Sequence, residues 1–395
     1  MKGYRLLCVI FILFHGLCSS SQEINGTSNK ALMEKRAREK KILNIFSVVQ
    51  FRNSPCQSTM TLVGAIGTNF RNGTCLTSAE CAQQSGTASG SCASGFGVCC
   101  VFMISTCGAT VTRNCSYIKN PGFPTAYTDT ASCTFTIAKC DPSVCDFRLD
   151  FDQFTLNGPS GTLELNEGDC NTDSLTSTTT SGQVTPVICG GNAGQHIYLD
   201  AGDSATGTAA LNFAFTDAGS RIWDIKVTQI PCSANYKRPD GCLQYHTGID
   251  GRLTTFNFDG VVPQHLDAQQ YNVCIRQEEG YCCITYTPCA TPTPSFALDP
   301  AGENDLSKAM VDAMCMEDFI RIEEGRCVGS LNGRNIFCGG ILSDANDAEA
   351  NCPIQDCTQP FQVGVFTNAA IAVANGVTVA NGNRGVCLEY TQQPC

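Results

Sequence analysis

Residues 144–156 read VCDFRLDFDQFTL, with Phe147, Leu149 and Phe151 alternating with Arg148, Asp150 and Asp152. A period of two puts one face of a strand in a core and the other in water. The same alternation returns at Leu211, Phe213 and Phe215. It returns again at Trp223, Ile225 and Val227, set against Asp224, Lys226 and Thr228. Clusters of Gly, Pro, Asn, Asp and Ser separate these runs. Many short strands with such punctuation predict an antiparallel β-sandwich. PCSANYKRPDG (231–241) reads as a polar linker, after which strands resume at Phe256 and Phe258, Ile284 and Tyr286, and Phe361, Val363 and Val365. DLSKAMVDAMCME, within 300–317, predicts a helical interruption.

The chain has 395 residues, enough for two to four domains, and 28 cysteines. Its composition, 43% hydrophobic and 15% charged, excludes a disordered polyelectrolyte and a coiled coil. The formal net charge is −11, and residues 1–41 hold 8 basic against 3 acidic side chains. Residues 42–395 therefore carry 17 basic and 33 acidic groups, a net −16. So acidic a body repels phosphate, which argues against nucleic acid and anionic lipid as partners.

The start, MKGYRLLCVIFILFHGLCSSSQ, has Lys2 and Arg5, then an apolar run from Leu6 to Phe14, then small residues at 18–21. That pattern predicts a signal peptide over 1–21 and a secreted, extracellular protein. The run is too short to span a bilayer, so no membrane insertion is expected. Removing the signal leaves 26 cysteines, enough for up to thirteen bridges in an oxidising compartment. Only His196, His246 and His265 remain beyond the signal, which argues against zinc. Sequons at Asn25, Asn72 and Asn114 predict glycosylation. Residues 22–49 read as a polar, basic leader with a helix over 28–46.

Residues 50–101 hold Cys56, Cys75, Cys81, Cys92, Cys99 and Cys100 among frequent glycines. So short a segment buries little core, and three bridges would supply the missing stability. Cys99 and Cys100 cannot readily bridge each other, so they are expected to tie down different loops. The block resembles the clip-type knots of arthropods, with six cysteines ending in a doublet.

Further on, Cys107-Gly108, Asn120-Pro-Gly-Phe-Pro124-x-x-Tyr127 and Cys133-x-Phe135-x-Ile137 occur in order. Phe151-x-x-Phe154-x-Leu156, Cys170-x-x-Asp173, Cys189-Gly190 and Phe213-x-Phe215-Thr-Asp217 follow. This series resembles a CUB domain. A looser copy follows, carrying Cys315-x-x-Asp318-Phe319, Phe337-Cys338-Gly339 and Phe361-x-Val363-x-Val365. The whole order is similar to secreted CUB proteins of arthropods. The resemblance implies a mainly β chain of two tandem CUB-type sandwiches preceded by the knot. Its parts would be the CUB domain at 107–232, a linker at 233–241 and a CUB-like domain at 242–395. It also implies the bridges Cys107–Cys133, Cys170–Cys189 and Cys315–Cys338.

Many CUB domains hold calcium at one end of the sandwich, and a hard cation needs converging oxygen ligands. The family's three ligand positions fall on Asn157, Asp173 and Asp217 in the first half. In the second they fall on Asp299, Asp318 and Asn368, and Tyr127 matches the tyrosine beside the first cluster. Each site is one carboxylate short, which weakens calcium binding. Glu164 and Glu167 lie near enough in sequence to the first cluster to compensate.

No His-Glu-x-x-His or Gly-x-Ser-x-Gly motif is present, and each remaining histidine reads as structural. The expectation is a non-enzymatic extracellular protein that binds protein ligands. Asp173, Asp217 and Tyr127 are the expected contact residues, with Asp318 next. The alternative is a non-catalytic regulator of an extracellular protease cascade, acting through the clip-like knot. Matrix and hydrolase readings rank below both.

Overall fold

The computed structural model describes residues 50–59, 70–159, 168–261, 264–298, 307–368 and 384–395. The signal-peptide, leader-helix and Asn25 expectations lie outside these residues, as do Asp299, Glu164 and Glu167. The chain divides into two compact units, Met1–Phe102 and Met103–Cys395. No helix among the described residues is long and apolar enough to cross a membrane.

In the first unit, β1 (Pro55–Gln57), β2 (Asn72–Leu76), β3 (Thr87–Cys92) and β4 (Gly97–Ile104) surround α1 (Ser78–Gln83). The pairs β1–β2, β2–β4 and β3–β4 are antiparallel. Thr77 caps α1 and exchanges hydrogen bonds with Glu80, a capping box that satisfies two otherwise orphaned amides. Cys56–Cys99, Cys75–Cys92 and Cys81–Cys100 are bridged, so the doublet ties two different loops. Gly86 abuts this sulfur core: a Cβ there would lie 2.2 Å from Cys100 Sγ.

The second unit begins with a sandwich of eight strands: β5 (Thr110–Val111), β6 (Ser116–Lys119), β7 (Cys133–Ala138), β8 (Val144–Thr155), β9 (Asp173–Thr179), β10 (His196–Asp200), β11 (Thr208–Phe215) and β12 (Ile222–Pro231). One sheet runs β6-β12-β8-β10 and the other β5-β7-β11-β9. The alternating residues of β8, β11 and β12 point inward as the period requires, with Phe147, Leu149, Phe151, Phe213, Trp223 and Ile225 buried. Phe213 from one sheet stacks on Trp223 from the other at 4.4 Å, joining the layers.

The rest of the unit holds β13 (Cys242–His246), β14 (Asp250–Thr254), β15 (Gln270–Ile275), β16 (Tyr281–Pro288), β17 (Phe296–Ala297), β18 (Ala309–Val311), β19 (Phe319–Cys327), β20 (Arg334–Gly339), β21 (Ile354–Asp356), β22 (Gln362–Phe366) and β23 (Gly385–Pro394). The main order is β13-β15-β22-β19-β21-β16-β23-β14. β19 is the corner strand. Its first residues pair with β22 and β20, its last with β21. The register shifts between Arg321 and Gly325, where Glu324 has φ 50°. Such a bulge bends a strand from one layer into the next. Cys107–Cys133, Cys170–Cys189 and Cys315–Cys338 are among the bridges. Cys115 is the one free thiol among the described residues.

Two local readings change. The described part of 300–317 is not a helix but β18 followed by a single 3-10 turn at Asp312–Met314. Ala309, Met310 and Val311 are all buried against β20, and Asp312 turns the chain at φ 52°. Phe256 and Phe258 lie in a turn, because Asn257 between them adopts φ 60°. Both rings are nonetheless buried.

Candidate functional site

The first cluster lies at the end of the sandwich where β9 begins. Asp173 is its first residue and pairs with Phe215, the last of β11. The side chain of Asp173 is 0% exposed, and both its oxygens are engaged by Arg221. Arg221 Nε donates to Oδ2 at 2.7 Å and Nη2 to Oδ1 at 2.7 Å. Arg221 Nη1 also donates to the Asp129 carbonyl at 2.9 Å, and Nη2 to the Asp217 carbonyl. The guanidinium carbon lies 4.3 Å from the Phe215 ring centroid. Arg221 is held by its own backbone, which pairs with Tyr127. The Asn157 amide completes the cluster, donating to Asp173 Oδ2 at 2.6 Å. A buried carboxylate of this kind is tolerated because a planar fork meets it twice and its remaining capacity is satisfied.

The residues read from the sequence thus take other roles. Asp173 is buried and bound internally, so it is not presented to a ligand. Asp217 contributes its backbone carbonyl, while the residue itself is exposed. Asn157 reaches Asp173 through its backbone N–H, not as an oxygen donor. Tyr127 packs on Phe215 and Trp223 and donates its hydroxyl to the Ala131 carbonyl at 2.9 Å. Arg221 is the residue that sequence reasoning missed. It stands among Gly219, Ser220 and Ile222, where a charge reads as a solvated loop group.

The second half sets a histidine against its buried carboxylate. Asp318, just before β19, is buried, and His265 Nε2 lies 3.1 Å from its Oδ2. His265 Nδ1 lies 3.9 Å from Asp267 Oδ1. The Asn368 amide donates to Asp318 Oδ1 at 2.9 Å. Burial alone would lower the His265 pKa, but Asp318 first and Asp267 next outweigh it and raise it to about 8. Asn368 thus meets this carboxylate through its backbone N–H.

Calcium does not fit the described residues of the first cluster. In the first half its place among Asp173, the Asp129 carbonyl and the Asp217 carbonyl is filled by a guanidinium. In the second, the His265 imidazole stands between two buried carboxylates, Asp318 at 3.1 Å and Asp267 at 3.9 Å. Cys327, Asp344 and Cys352 also lie close together, but the two sulfurs are bonded to each other and offer no thiolate.

The two sandwiches meet along β10 and β13. His196 Nε2 accepts from the Tyr245 amide at 3.0 Å. Gln195 Nε2 donates to Thr254 Oγ1 at 3.1 Å and to the Thr255 carbonyl at 3.2 Å. The Asn257 amide donates to Asn192 Oδ1 at 2.7 Å, and Asn257 Oδ1 accepts from the Gly191 amide at 3.1 Å. Gly190 is required here: its φ is +73°, and a Cβ would lie 1.9 Å from Asn257 Oδ1. Arg238, in the segment read as a polar linker, is buried, 3.1 Å from Asp146 Oδ1 and 3.0 Å from the Cys242 carbonyl. Tyr198, Ile230, Cys242, Tyr245 and Cys274 close an apolar cluster across the seam.

A cleft of about 240 Å³ opens beside this seam, with His196, His246, Gln244 and Arg252 in its wall. The two imidazoles stand 4.9 Å apart. Burial, then Arg148, lowers the His246 pKa to about 4, and burial pulls His196 well down as well. Neutral rings in backbone and ring contacts support the structural reading of these histidines. Of the remaining sequons, Asn72 is half-buried in β2. Asn114 holds Gln229 by two hydrogen bonds through its carboxamide.

A twisted two-layer β architecture with its loops pinned by disulfides defines the class. The family model "Animal CUB domain" matches residues 239–393, the half whose sequence signature is the looser of the two. No curated protein matches the chain significantly. Among solved structures, the CUB1-EGF-CUB2 domains of rat MASP-1 are 14% identical, covering 73% of this chain and 99% of that one, with a TM-score of 0.24. The MASP-1 CUB2 domain bound to Ca2+ is 19% identical, covering 31% and 98%, with a TM-score of 0.24. The extracellular region of zebrafish Gpr126/Adgrg6 is 12% identical, covering 72% and 36%, with a TM-score of 0.26.

Proposed function

We propose that this chain is a secreted, non-catalytic recognition protein that binds other extracellular proteins through residues 103–395 acting as one platform. CUB domains generally mediate protein–protein interaction, and residues 239–393 match that family. The many disulfides suit an oxidising extracellular setting. The observation that carries the reading is the seam, where buried polar contacts fix one sandwich on the other. Fixed halves present a single surface without an ordering cost on binding. The net −16 of residues 42–395 favours a basic partner surface.

The test is capture from native extracellular fluid on the immobilised full-length protein, followed by cross-linking and mass spectrometry. Cross-links within 103–395 support the platform. Cross-links confined to 50–102 would move the function to the cysteine-rich unit. That outcome is the second reading, a regulator of a protease cascade, favoured by the three bridges that make this segment a compact unit of its own. Deleting 50–101 separates the two: retained capture supports the platform, lost capture the knot.

A further inference from the structure

We infer that the chain carries its own cation where its fold family implies calcium, with Arg221 filling the position at Asp173. This concerns the loop ends themselves and stands apart from the choice of partner. A calcium ion at such a loop end would act as a positive clamp. It would draw a carboxylate and backbone carbonyls from separate loops onto one positive centre. Arg221 gathers the same kind of set: both oxygens of Asp173, the Asp129 carbonyl from the β6–β7 loop and the Asp217 carbonyl from the β11–β12 loop. Three loops are thereby tied by one covalently attached cation.

The geometry leaves no share for a metal. A bidentate guanidinium uses both Asp173 oxygens, and an arginine does not deprotonate in proteins. Its plane lies against Phe215, so it is packed as well as paired. Asn157 turns a backbone N–H toward the same carboxylate, a donor that repels a cation.

The experiment uses the full-length secreted protein and calcium itself as the probe. Thermal midpoints are measured in ~10 mM calcium and in excess chelator, with calcium uptake followed by calorimetry. A genuine extracellular-type site, with a dissociation constant of about 10⁻⁴–10⁻³ M, would raise the midpoint by about 3 °C or more. The expected result is a shift below ~1 °C and no saturable uptake that depends on Asp173. A saturable, chelator-reversible rise that disappears in Asp173→Asn would overturn the inference. Arg221→Gln supplies a second readout. It should lower the midpoint in chelator and make it respond to calcium, since the oxygen set is then open. A variant equally stable with Arg221 removed, or a wild type that already responds through Asp173, would also overturn it. If Arg221→Gln is not secreted, the wild-type titration alone decides.

Discussion

Asp173 and Arg221 show how much one side chain can matter at a loop end. Replacing Arg221 by Met leaves a buried carboxylate with no counter-charge, and removing one partner of such a pair costs about 3–5 kcal/mol. Arg221→Lys keeps the charge but loses the fork, so it should fall between wild type and Met. Urea midpoints of the three proteins check that order; equal midpoints would show the pair to be idle. His246 gives a pH prediction. Its folded pKa, about 4, lies below the unfolded 6.5, so the unfolded state binds the proton first. The stability from keeping this ring neutral is complete above about pH 6.5 and is lost as pH falls toward 4. The loss is about 3 kcal/mol at most. The groups facing the ring are Arg148, His196 and Tyr390, and His196 shifts the same way. His246→Asn should flatten the fall in midpoint over that window relative to wild type. At this scale the sequence showed half of the site: the Cys-x-x-Asp spacing marks Asp173. Its partner lies 48 residues away, in a loop where nothing marks the charge as buried.

Strands that alternate along their whole length were legible as such. β8, β11 and β12 each carry three or more apolar residues at spacing two, and a one-residue slip would put every one of them in water. Short apolar pairs were less informative. Phe256 and Phe258 have the spacing of a strand but flank a left-handed Asn257, a conformation that asparagine tolerates better than most residues. The helical reading near 310 failed because Ala309, Met310 and Val311 are buried on all sides, a demand set by β20 rather than by local preference. β19 yields a prediction of its own. A Cβ at Gly325 would lie 2.9 Å from Ile354 Cγ2 and 3.0 Å from Phe337 Cζ, at the bend between layers. Gly325→Val should therefore cost about 1–3 kcal/mol through overpacking, with Gly158→Ala, whose Cβ would meet nothing nearer than 3.9 Å, as the milder control. Comparable denaturation midpoints for the two would count against β19 as the corner.

Residues 103–395 should melt as one body. The contacts along β10 and β13 are buried hydrogen bonds, and losing one partner leaves the other unsatisfied at about 1–3 kcal/mol. Calorimetry is expected to show one transition for this unit, and Asn257→Ala should split or broaden it. Two well-separated transitions in the wild type would mean that the halves unfold independently. This was the least legible level. A polar stretch such as 233–241 reads as a free hinge, since nothing local reveals that Arg238 reaches back to Asp146, 92 residues away. The seam also acts as a ruler. Because Gly190 leaves room for Asn257 and nothing larger, the spacing between one half's loops and the other's is set by the fold. A partner whose own contact points match that interval would bind both halves at a high effective concentration. One with a different interval would gain nothing from the second contact.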